Sequence, residues 1–294
     1  MAVPVAALEP HVAEDAATWW LSRELAASPA TRNLLAGACA GIAAKTVTAP
    51  LDRLKIIFQV SSEPYTLRAG ARTLRHLVAT QGLGSLWRGH SATLARVAPY
   101  AGLHYAAHEA LEEALGRRST GARFAAGAGA GAAATLATYP LDLLRARLAV
   151  APHSPGGAAP RLRDGVRALA LAGPRAAFRG IGPTLAGVVP YSGVTWLAYT
   201  TLADRAEGRA QRLGAGAAAG LLGQAVTYPL DVARRRMQVA ATSGGGRSAV
   251  GVLRDAVAAE GAATLYKGLS INVLKTPVAT AVSFACFEAL KAPR

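Results

Sequence analysis

The chain has 294 residues, of which 52% are apolar and only 17% charged, and its mean hydropathy is +0.25. This composition excludes a long disordered chain and leaves too little ionic surface for ordinary soluble domains. Two cysteines, Cys39 and Cys286, are too few for a disulfide framework or a cysteine-rich zinc module. The net charge of +15 leaves two classes, a nucleic-acid binder and a membrane protein whose cations collect on one side.

The N-terminal tail, residues 1–30, contains several acidic residues beside Arg23. Transit peptides are rich in arginine and poor in acidic residues. We therefore expect no cleavable targeting segment in this tail.

Three sequence elements recur in the same order after the tail. Pro-Leu-Asp, with a basic residue three positions after the aspartate, begins at Pro50, Pro140 and Pro229, at spacings of 90 and 89 residues. A Gly-x-x-x-Gly pattern precedes each proline, and a glycine, four residues and an aromatic-basic-Gly triplet follow it. Repetition in fixed order predicts three structural repeats. Their expected boundaries are 31–117, 118–206 and 207–294.

Long uncharged runs predict membrane-spanning helices. Residues 124–141, 180–203 and 213–230 form runs of 18, 24 and 18 residues, long enough to cross a hydrocarbon core of ~30 Å. The equivalent stretches of the other half-repeats contain Lys45, Arg96 and Lys275, and threefold symmetry assigns them to helices as well. We predict an all-α membrane protein of six transmembrane helices, in three pseudo-threefold repeats around a central cavity. The expected helices are 31–60, 91–115, 121–150, 183–205, 211–240 and 270–291.

The charges lie on one side of this arrangement. Segments 61–90, 146–183 and 235–269, within the repeats, carry net charges of +3, +5 and +3, whereas the segments at the other helix ends sum to zero. This asymmetry follows the positive-inside pattern and predicts that both termini lie on the opposite side. A nucleic-acid binder would instead carry a basic stripe on a water-soluble surface, without a 24-residue uncharged run.

The repeated prolines indicate a shared structural level. A proline inside a helix removes one backbone hydrogen bond and kinks the axis, and the aspartate and cation that follow it share one helix face. A lone intramembrane charge costs ~2.5–3.5 kcal/mol on insertion scales, so these groups should pair between helices. We expect a ring of ion pairs that closes one end of the cavity and can open, rather than a static charged core. The ring residues are Asp52, Lys55, Asp142, Arg145, Asp231 and Arg234.

These motifs resemble the mitochondrial carrier family (solute carrier family 25), over residues 31–291. The resemblance implies an inner-membrane transporter with short matrix helices, whose termini face the intermembrane space and which alternates between cytosol-open and matrix-open states. It also implies a matrix gate in which Asp52 pairs with Arg145, Asp142 with Arg234, and Asp231 with Lys55. Glutamine braces of such gates correspond to Gln59 and Gln238, whereas the second repeat has Ala149 there.

The cytosolic gate of the family, at the outer ends of the even-numbered helices, is degraded in this sequence. Its pattern is an aromatic residue, an acid, two residues and a base, and only Phe287-Glu288 with Lys291 matches in full. The first repeat keeps the acid as Glu109 but has Glu112 in place of the base. We therefore expect a weak cytosolic closure and a resting population that favours the cytosol-open state.

Helical spacing indicates which cations face the cavity. Lys45 precedes Asp52 by two helical turns and shares its face. Counting back from the outer ends of the even-numbered helices places Arg96, Gly187 and Lys275 at equivalent positions. Three cations without an acid at the equivalent positions favour a polyanionic solute, although snorkelling toward a membrane surface is the alternative.

The opposite wall of the cavity favours an adenine-bearing solute. Gly187 and Val188 form a flat patch with Tyr191 one turn further on, which suits a purine. In the resembled family these positions are substrate contact points. Similarity to its nucleotide-carrier branch implies an antiporter that exchanges coenzyme A, or related 3′-phosphorylated adenine nucleotides, for adenine nucleotides such as ADP.

Other functions remain open at this stage. An ADP/ATP or ATP-Mg/phosphate exchanger would use the same residues, and a proton leak or scaffold role would follow if the degraded outer ring prevented alternation. We expect no enzyme, because no nucleophile-base pair or metal cluster is present. We also expect no cofactor, no metal site and no nucleic-acid partner. The predicted protein is a monomer in contact with membrane lipid, cardiolipin being one candidate.

Overall fold

A computed structural model describes residues 29–63, 66–116, 119–151, 160–204, 208–240 and 248–290. All regular secondary structure in these ranges is helical. Most of the predicted N-terminal tail lies outside the described residues. The chain divides into two compact units, one within residues 1–47 and 277–294 and the other comprising 48–276.

Six long helices occupy the predicted positions, and each bound falls within two residues of the predicted one. They are α1 (Pro29–Val60), α3 (His90–Leu115), α4 (Thr120–Val150), α7 (Ile181–Ala203), α8 (Arg209–Val239) and α10 (Leu269–Leu290). Shorter helices lie within the repeats: α2 (Leu67–Gln81), α5 (Leu162–Ala172), α6 (Pro174–Ala177) and α9 (Ala249–Glu260), with 3-10 turns at Leu83–Trp87 and Ala262–Tyr266. The prediction of an all-α chain is confirmed.

Local sequence signals explain where several helices begin. The side chains of Thr66, Ser119 and Ser248 each accept a hydrogen bond from a backbone N–H three residues further on. These contacts satisfy one of the free donors at the first turns of α2, α4 and α9. The repeated prolines lie inside α1, α4 and α8, as the sequence predicts.

The Gly-x-x-x-Gly pairs do not mediate the close backbone approach that their spacing suggests. A Cβ added at Gly127 would meet nothing within 4 Å, and one at Gly220 would meet only the Tyr191 hydroxyl, at 4.0 Å. The buried stripe is instead formed by the alanines one position earlier, such as Ala126 and Ala130, which are fully buried. The packed face is therefore rotated by one residue, and alanine methyl groups fill it.

Close backbone approach occurs instead at the glycine of each aromatic-basic-Gly triplet. Gly89 has a φ of +80°, and a Cβ added there would lie 2.7 Å from the carbonyl oxygen of Arg145. Gly180 stands in the same relation to Arg234, at 3.2 Å. These glycines thus let the starts of α3 and α7 pack against α4 and α8, the proline-containing helices of the next repeats.

The basic residue of the same triplet caps the helix next to it. Arg88 donates to the carbonyl of Ala151 at 3.0 Å, Arg179 to that of Ala240 at 3.3 Å, and Lys267 to that of Ser61 at 3.1 Å. These carbonyls lie at or just beyond the C-terminal ends of α4, α8 and α1. A cation there satisfies a free acceptor and complements the helix dipole. The third repeated element therefore joins each repeat to the next.

The helix that hydropathy identifies as a membrane span is not one of the three that contain an uncharged run. Among the described residues, only Ala262–Leu290 is long and apolar enough to qualify as a membrane span by composition, with a mean hydropathy of 1.4 in its best window. This stretch qualifies although it contains the charged Lys275. The three uncharged runs score lower because each contains glycine, threonine, proline and tyrosine, which carry no charge but are not hydrophobic.

Candidate functional site

Three ion pairs join α1, α4 and α8 within the unit formed by residues 48–276. Arg145 lies 2.6 Å from Asp52, Arg234 lies 2.6 Å from Asp142, and Lys55 lies 2.8 Å from Asp231. Each pair joins the aspartate of one repeat to the cation of the next. The structure thus brings together the six residues that the family resemblance assigns to a closed ring.

Two of the three pairs are braced by a glutamine and a tyrosine. Gln238 donates to Asp142 at 2.8 Å and to the Tyr139 hydroxyl at 3.2 Å. Gln59 does the same with Asp231, at 3.0 Å, and with Tyr228, at 3.3 Å. The tyrosine hydroxyls in turn donate to the carbonyls of Arg179 and Lys267. These buried amides hold the carboxylates by direct hydrogen bonds, which strengthen where water is excluded.

The third pair, Asp52 with Arg145, has a different environment. Its equivalent brace positions are Ala149 and Ala49, neither of which can donate a side-chain hydrogen bond. Instead, Arg53 is buried beside the pair and donates to the Ala149 carbonyl at 3.0 Å, to Gln81 at 3.1 Å, and to the Ser85 carbonyl. In the other repeats, Arg147 and Arg236 make the equivalent bonds to the carbonyls of Gln238 and Gln59.

Two of the expected substrate-contact cations are not without acidic partners, which corrects the sequence-based expectation. Lys275 lies 2.5 Å from Asp52, and Arg96 lies 3.5 Å from Asp142 while donating to Thr138 at 3.1 Å. The absence of acids at symmetry-equivalent positions was misleading, because the ring aspartates approach from other helices. Arg96 and Lys275 therefore act as additional cationic partners of two ring aspartates.

A cavity of about 310 Å³ lies against the ring. Its walls come from α3, α4, α7 and α8, and they include Arg96, Gly187, Val188 and Tyr191, four of the six residues predicted to contact substrate. Four arginines and two aspartates line it, so the balance of formal charge is positive. Such a surface attracts an anion, while Val188 and Tyr191 offer apolar and aromatic contact.

The remaining predicted residues fall elsewhere. Lys45 is exposed on the part of α1 that belongs to the other unit. Glu288, on the part of α10 in that same unit, is also exposed. Glu109 is exposed near the end of α3. Lys291 lies outside the described residues, so the cytosolic gate stays a prediction. No group of three or more potential metal ligands occurs among the residues that the structure describes.

A further ion network at the end of α9 was not predicted from the sequence. Arg236 forms two parallel hydrogen bonds with the Glu260 carboxylate, each of 2.8 Å, and Lys267 lies 2.5 Å from the same group. Thr264 also donates to it at 2.8 Å. The hydrogen bonds from Arg236, followed by those from Lys267 and Thr264, lower the pKa of Glu260 from 4.5 to about 2 despite partial burial.

One protein family matches the chain three times, once in each repeat. The family described as "Mitochondrial carrier protein" matches residues 26–119, 116–210 and 205–292. The chain is 44% identical over 274 residues to the mitochondrial coenzyme A transporter SLC25A42 of Xenopus tropicalis, covering 87% of this chain and 83% of that one. The human protein of the same name is 43% identical, covering 88% and 86%. The mitochondrial carrier protein CoAc2 of Zea mays is 36% identical, covering 89% and 86%.

The unequal charge around the ring aspartates generates a first prediction. Asp142 forms ion pairs with three arginines, at positions 96, 234 and 235, whereas the only cation paired with Asp231 by a described salt bridge is Lys55. Removing one partner of a buried pair costs about 3–5 kcal/mol because the other charge stays buried. Asp142→Asn should therefore lower the thermal-unfolding midpoint of the purified protein more than Asp231→Asn does. An equal or larger effect of Asp231→Asn would contradict this ranking.

The depressed pKa of Glu260 generates a second prediction. Because folding favours the carboxylate, its contribution to stability is complete above the ordinary pKa of 4.5 and is lost as the pH falls toward about 2. The unfolding midpoint should consequently fall more steeply over this acidic range in the wild type than in Glu260→Gln. Glutamine suits the comparison because Gln81 occupies the same place in the first repeat. Parallel pH profiles would show that this network does not contribute.

Proposed function

Since the chain belongs to the mitochondrial carrier family, which makes it a transporter rather than an enzyme, we propose that it exchanges coenzyme A for adenine nucleotides such as ADP across the mitochondrial inner membrane. The observation that carries the proposal is the positively charged cavity against the ring of ion pairs. The coenzyme A transporters among its relatives, 42–44% identical over most of both chains, support coenzyme A as the substrate.

The chemistry of coenzyme A suits this cavity. The molecule carries a diphosphate and a 3′-phosphate on an adenosine. Arg96 supplies a guanidinium that can form paired hydrogen bonds with phosphate oxygens. The adenine would lie against Gly187 and Val188, where a missing side chain leaves room, with Tyr191 beside it. Lys275, next to Asp52, would add positive charge for the remaining phosphates.

The shared partners suggest how substrate binding opens the matrix gate. Phosphates that engage Arg96 and Lys275 would withdraw one cation each from Asp142 and Asp52. Both aspartates would keep their cation from the neighbouring repeat but lose part of their stabilisation. Alternating access then follows if the substrate binds better to the states in which these pairs are loosened. This step distinguishes an opening gate from a static charged core.

The wider organisation remains part of the proposal. We place the six long helices across the membrane as a monomer, with the repeats bounded at 31–117, 118–206 and 207–294 and both termini in the intermembrane space. Glu109, Glu288 and Lys291 would form a weak cytosolic gate, which favours the cytosol-open state at rest. Cardiolipin is a candidate ligand for the lipid-facing surface.

A second candidate is an ADP/ATP or ATP-Mg/phosphate exchanger. The same arginines and the same patch at Gly187 and Val188 would accept any adenine nucleotide. Reconstituted vesicles separate the two candidates. Uptake of labelled coenzyme A that requires internal ADP is the expected result. ATP uptake without coenzyme A uptake would support the second candidate, and substrate-independent proton flux would support a leak.

Variants of the two cations test the site itself. Arg96→Gln and Lys275→Gln should each lower coenzyme A uptake about tenfold or more, because each removes a charge-assisted hydrogen bond to phosphate. Arg72→Gln is the matched control, since Arg72 is exposed on α2, away from the cavity. The amount of folded protein is measured in parallel by its unfolding transition. Unchanged uptake in both the Arg96 and the Lys275 variant would remove the phosphate assignment.

A further inference from the structure

Two histidines lie one helical turn apart on the outer half of α3. The ring centroid of His104 lies 5.9 Å from that of Tyr100 and 6.3 Å from that of His108, and the planes of the two imidazoles differ by only 18°. A spacing of four residues places the three rings in a row on one side of the helix. All three side chains are partly exposed, so a solute can reach them.

The row of rings begins at the charged cavity. The guanidinium of Arg96 lies 4.7 Å from the ring centroid of Tyr100, and both residues line the cavity against the ion-pair ring. From Arg96 the row continues toward the outer end of α3 as far as His108, twelve residues further on, which corresponds to about 18 Å of helix. The imidazoles therefore extend the polar side of α3 outward from the cavity.

The histidines are a departure from the threefold pattern. The equivalents of His104 and His108 are Thr195 and Tyr199 in α7, and Ser283 and Phe287 in α10. No histidine occurs in α4, α7 or α8 either. Imidazole is the side chain that ordinarily changes its charge near neutral pH. The outer half of α3 thus carries a titratable pair that these other helices lack.

Other ionisable groups near this part of α3 act in both directions. From Arg96 outward they are Arg96, Tyr100, Tyr105, Glu109, Glu112 and Glu113 on α3, and Arg123 on α4, which packs along it. Beyond Arg123, α4 is uncharged from 124 to 141. The acids favour a protonated imidazole, whereas Arg96 and Arg123 oppose it. Phosphates that arrive at Arg96 would add negative charge and favour protonation.

We propose that His104 and His108 form a site for one proton, which this protein binds together with its phosphate-bearing solute. The proton comes from water and resides on one imidazole at a time, because two charged rings 6.3 Å apart would repel one another. The inference rests on the proposed function, since it takes the solute to be a phosphate-bearing anion that enters along α3.

The effects of the proton and of the solute on each other are reciprocal. A protonated imidazole attracts phosphate and can donate a charge-assisted hydrogen bond to it, so acidic pH should strengthen solute binding. By the same coupling, a bound solute should draw a proton from the medium. An isolated imidazole changes charge at about pH 6.5, so a neighbouring anion alters its protonated fraction near neutral pH.

Affinities measured at two pH values test the site. Dissociation constants of coenzyme A, ADP and ATP are determined for the purified full chain at pH 6 and pH 8, in the wild type and in the double variant His104→Gln with His108→Gln. The solute's own phosphates titrate equally in both proteins. The ratio of wild-type to variant affinity should therefore be about fivefold or more higher at pH 6 than at pH 8. A ratio independent of pH for every solute would overturn the proposal.

Two further variants separate charge from packing. His104→Lys carries a positive charge at both pH values, so it should bind the solute more tightly than the wild type at pH 8 and lose most of the pH dependence. If it binds no better than His104→Gln at either pH, the position does not act through charge and the proposal is wrong. His76→Gln is the matched control, because His76 is exposed on α2, and it should keep the pH dependence of the wild type.

Proton counting distinguishes this inference from the proposed function. Titration calorimetry at pH 7, in two buffers of different ionisation enthalpy, gives the number of protons taken up per solute bound, which should be higher in the wild type than in the double variant. Coenzyme A uptake by vesicles without this excess would remove the proton site and leave the transport proposal standing. An excess with ADP or ATP, without coenzyme A uptake, would support the proton site and remove coenzyme A as the solute.

Discussion

The pairing of an aspartate on one proline-containing helix with a cation on the next is the constraint on which this protein depends. A charge removed from water must be compensated by an opposite charge and by hydrogen bonds in good geometry. The chain supplies three ion pairs at distances of 2.6–2.8 Å. The elements around them serve the same junction. Gly89 lets helices approach, Arg88 and its equivalents cap the neighbouring helix, and Gln238 and Gln59 hold the carboxylates. Each of these contacts joins one repeat to a neighbouring repeat.

Residues that differ between the three repeats can distinguish the two ends of an asymmetric solute, which identical residues cannot do. Arg96 faces the cavity from the first repeat where the second has Gly187, and this contrast can orient a solute that is phosphate at one end and purine at the other. Within the ring, Asp142 gathers three arginines, whereas Asp52 is shared between Arg145 and Lys275. The three pairs of the ring therefore differ in charge and in hydrogen bonding.

The helices and the ring could be predicted from the sequence because their motifs occur in all three repeats, so a weak signal in one repeat was supported by the other two. The motifs also indicated similarity to coenzyme A carriers, and the relatives confirm that similarity. Prediction from the sequence failed where contacts come from helices distant in the chain. Lys275 lies beside Asp52 although more than two hundred residues separate them in the chain. Ile57 occupies the position of Arg147 and Arg236 in the first repeat, and Arg53 makes the bond to a carbonyl that those arginines make in the other repeats. Helical spacing also selected the glycines of the Gly-x-x-x-Gly pairs, although the buried face is the alanine stripe beside them.

The most direct test of the account is a reciprocal charge exchange at the pair of Lys55 with Asp231, followed by the unfolding midpoint and by exchange across vesicles. Lys55→Asp and Asp231→Lys each place two like charges against each other in a partly buried setting, where the native pair lies 2.8 Å apart, so each alone should lower the midpoint and abolish exchange. The double variant restores opposite charges and should recover a substantial part of both. A double variant no better than the sum of the single losses would show that this pair does not hold the gate.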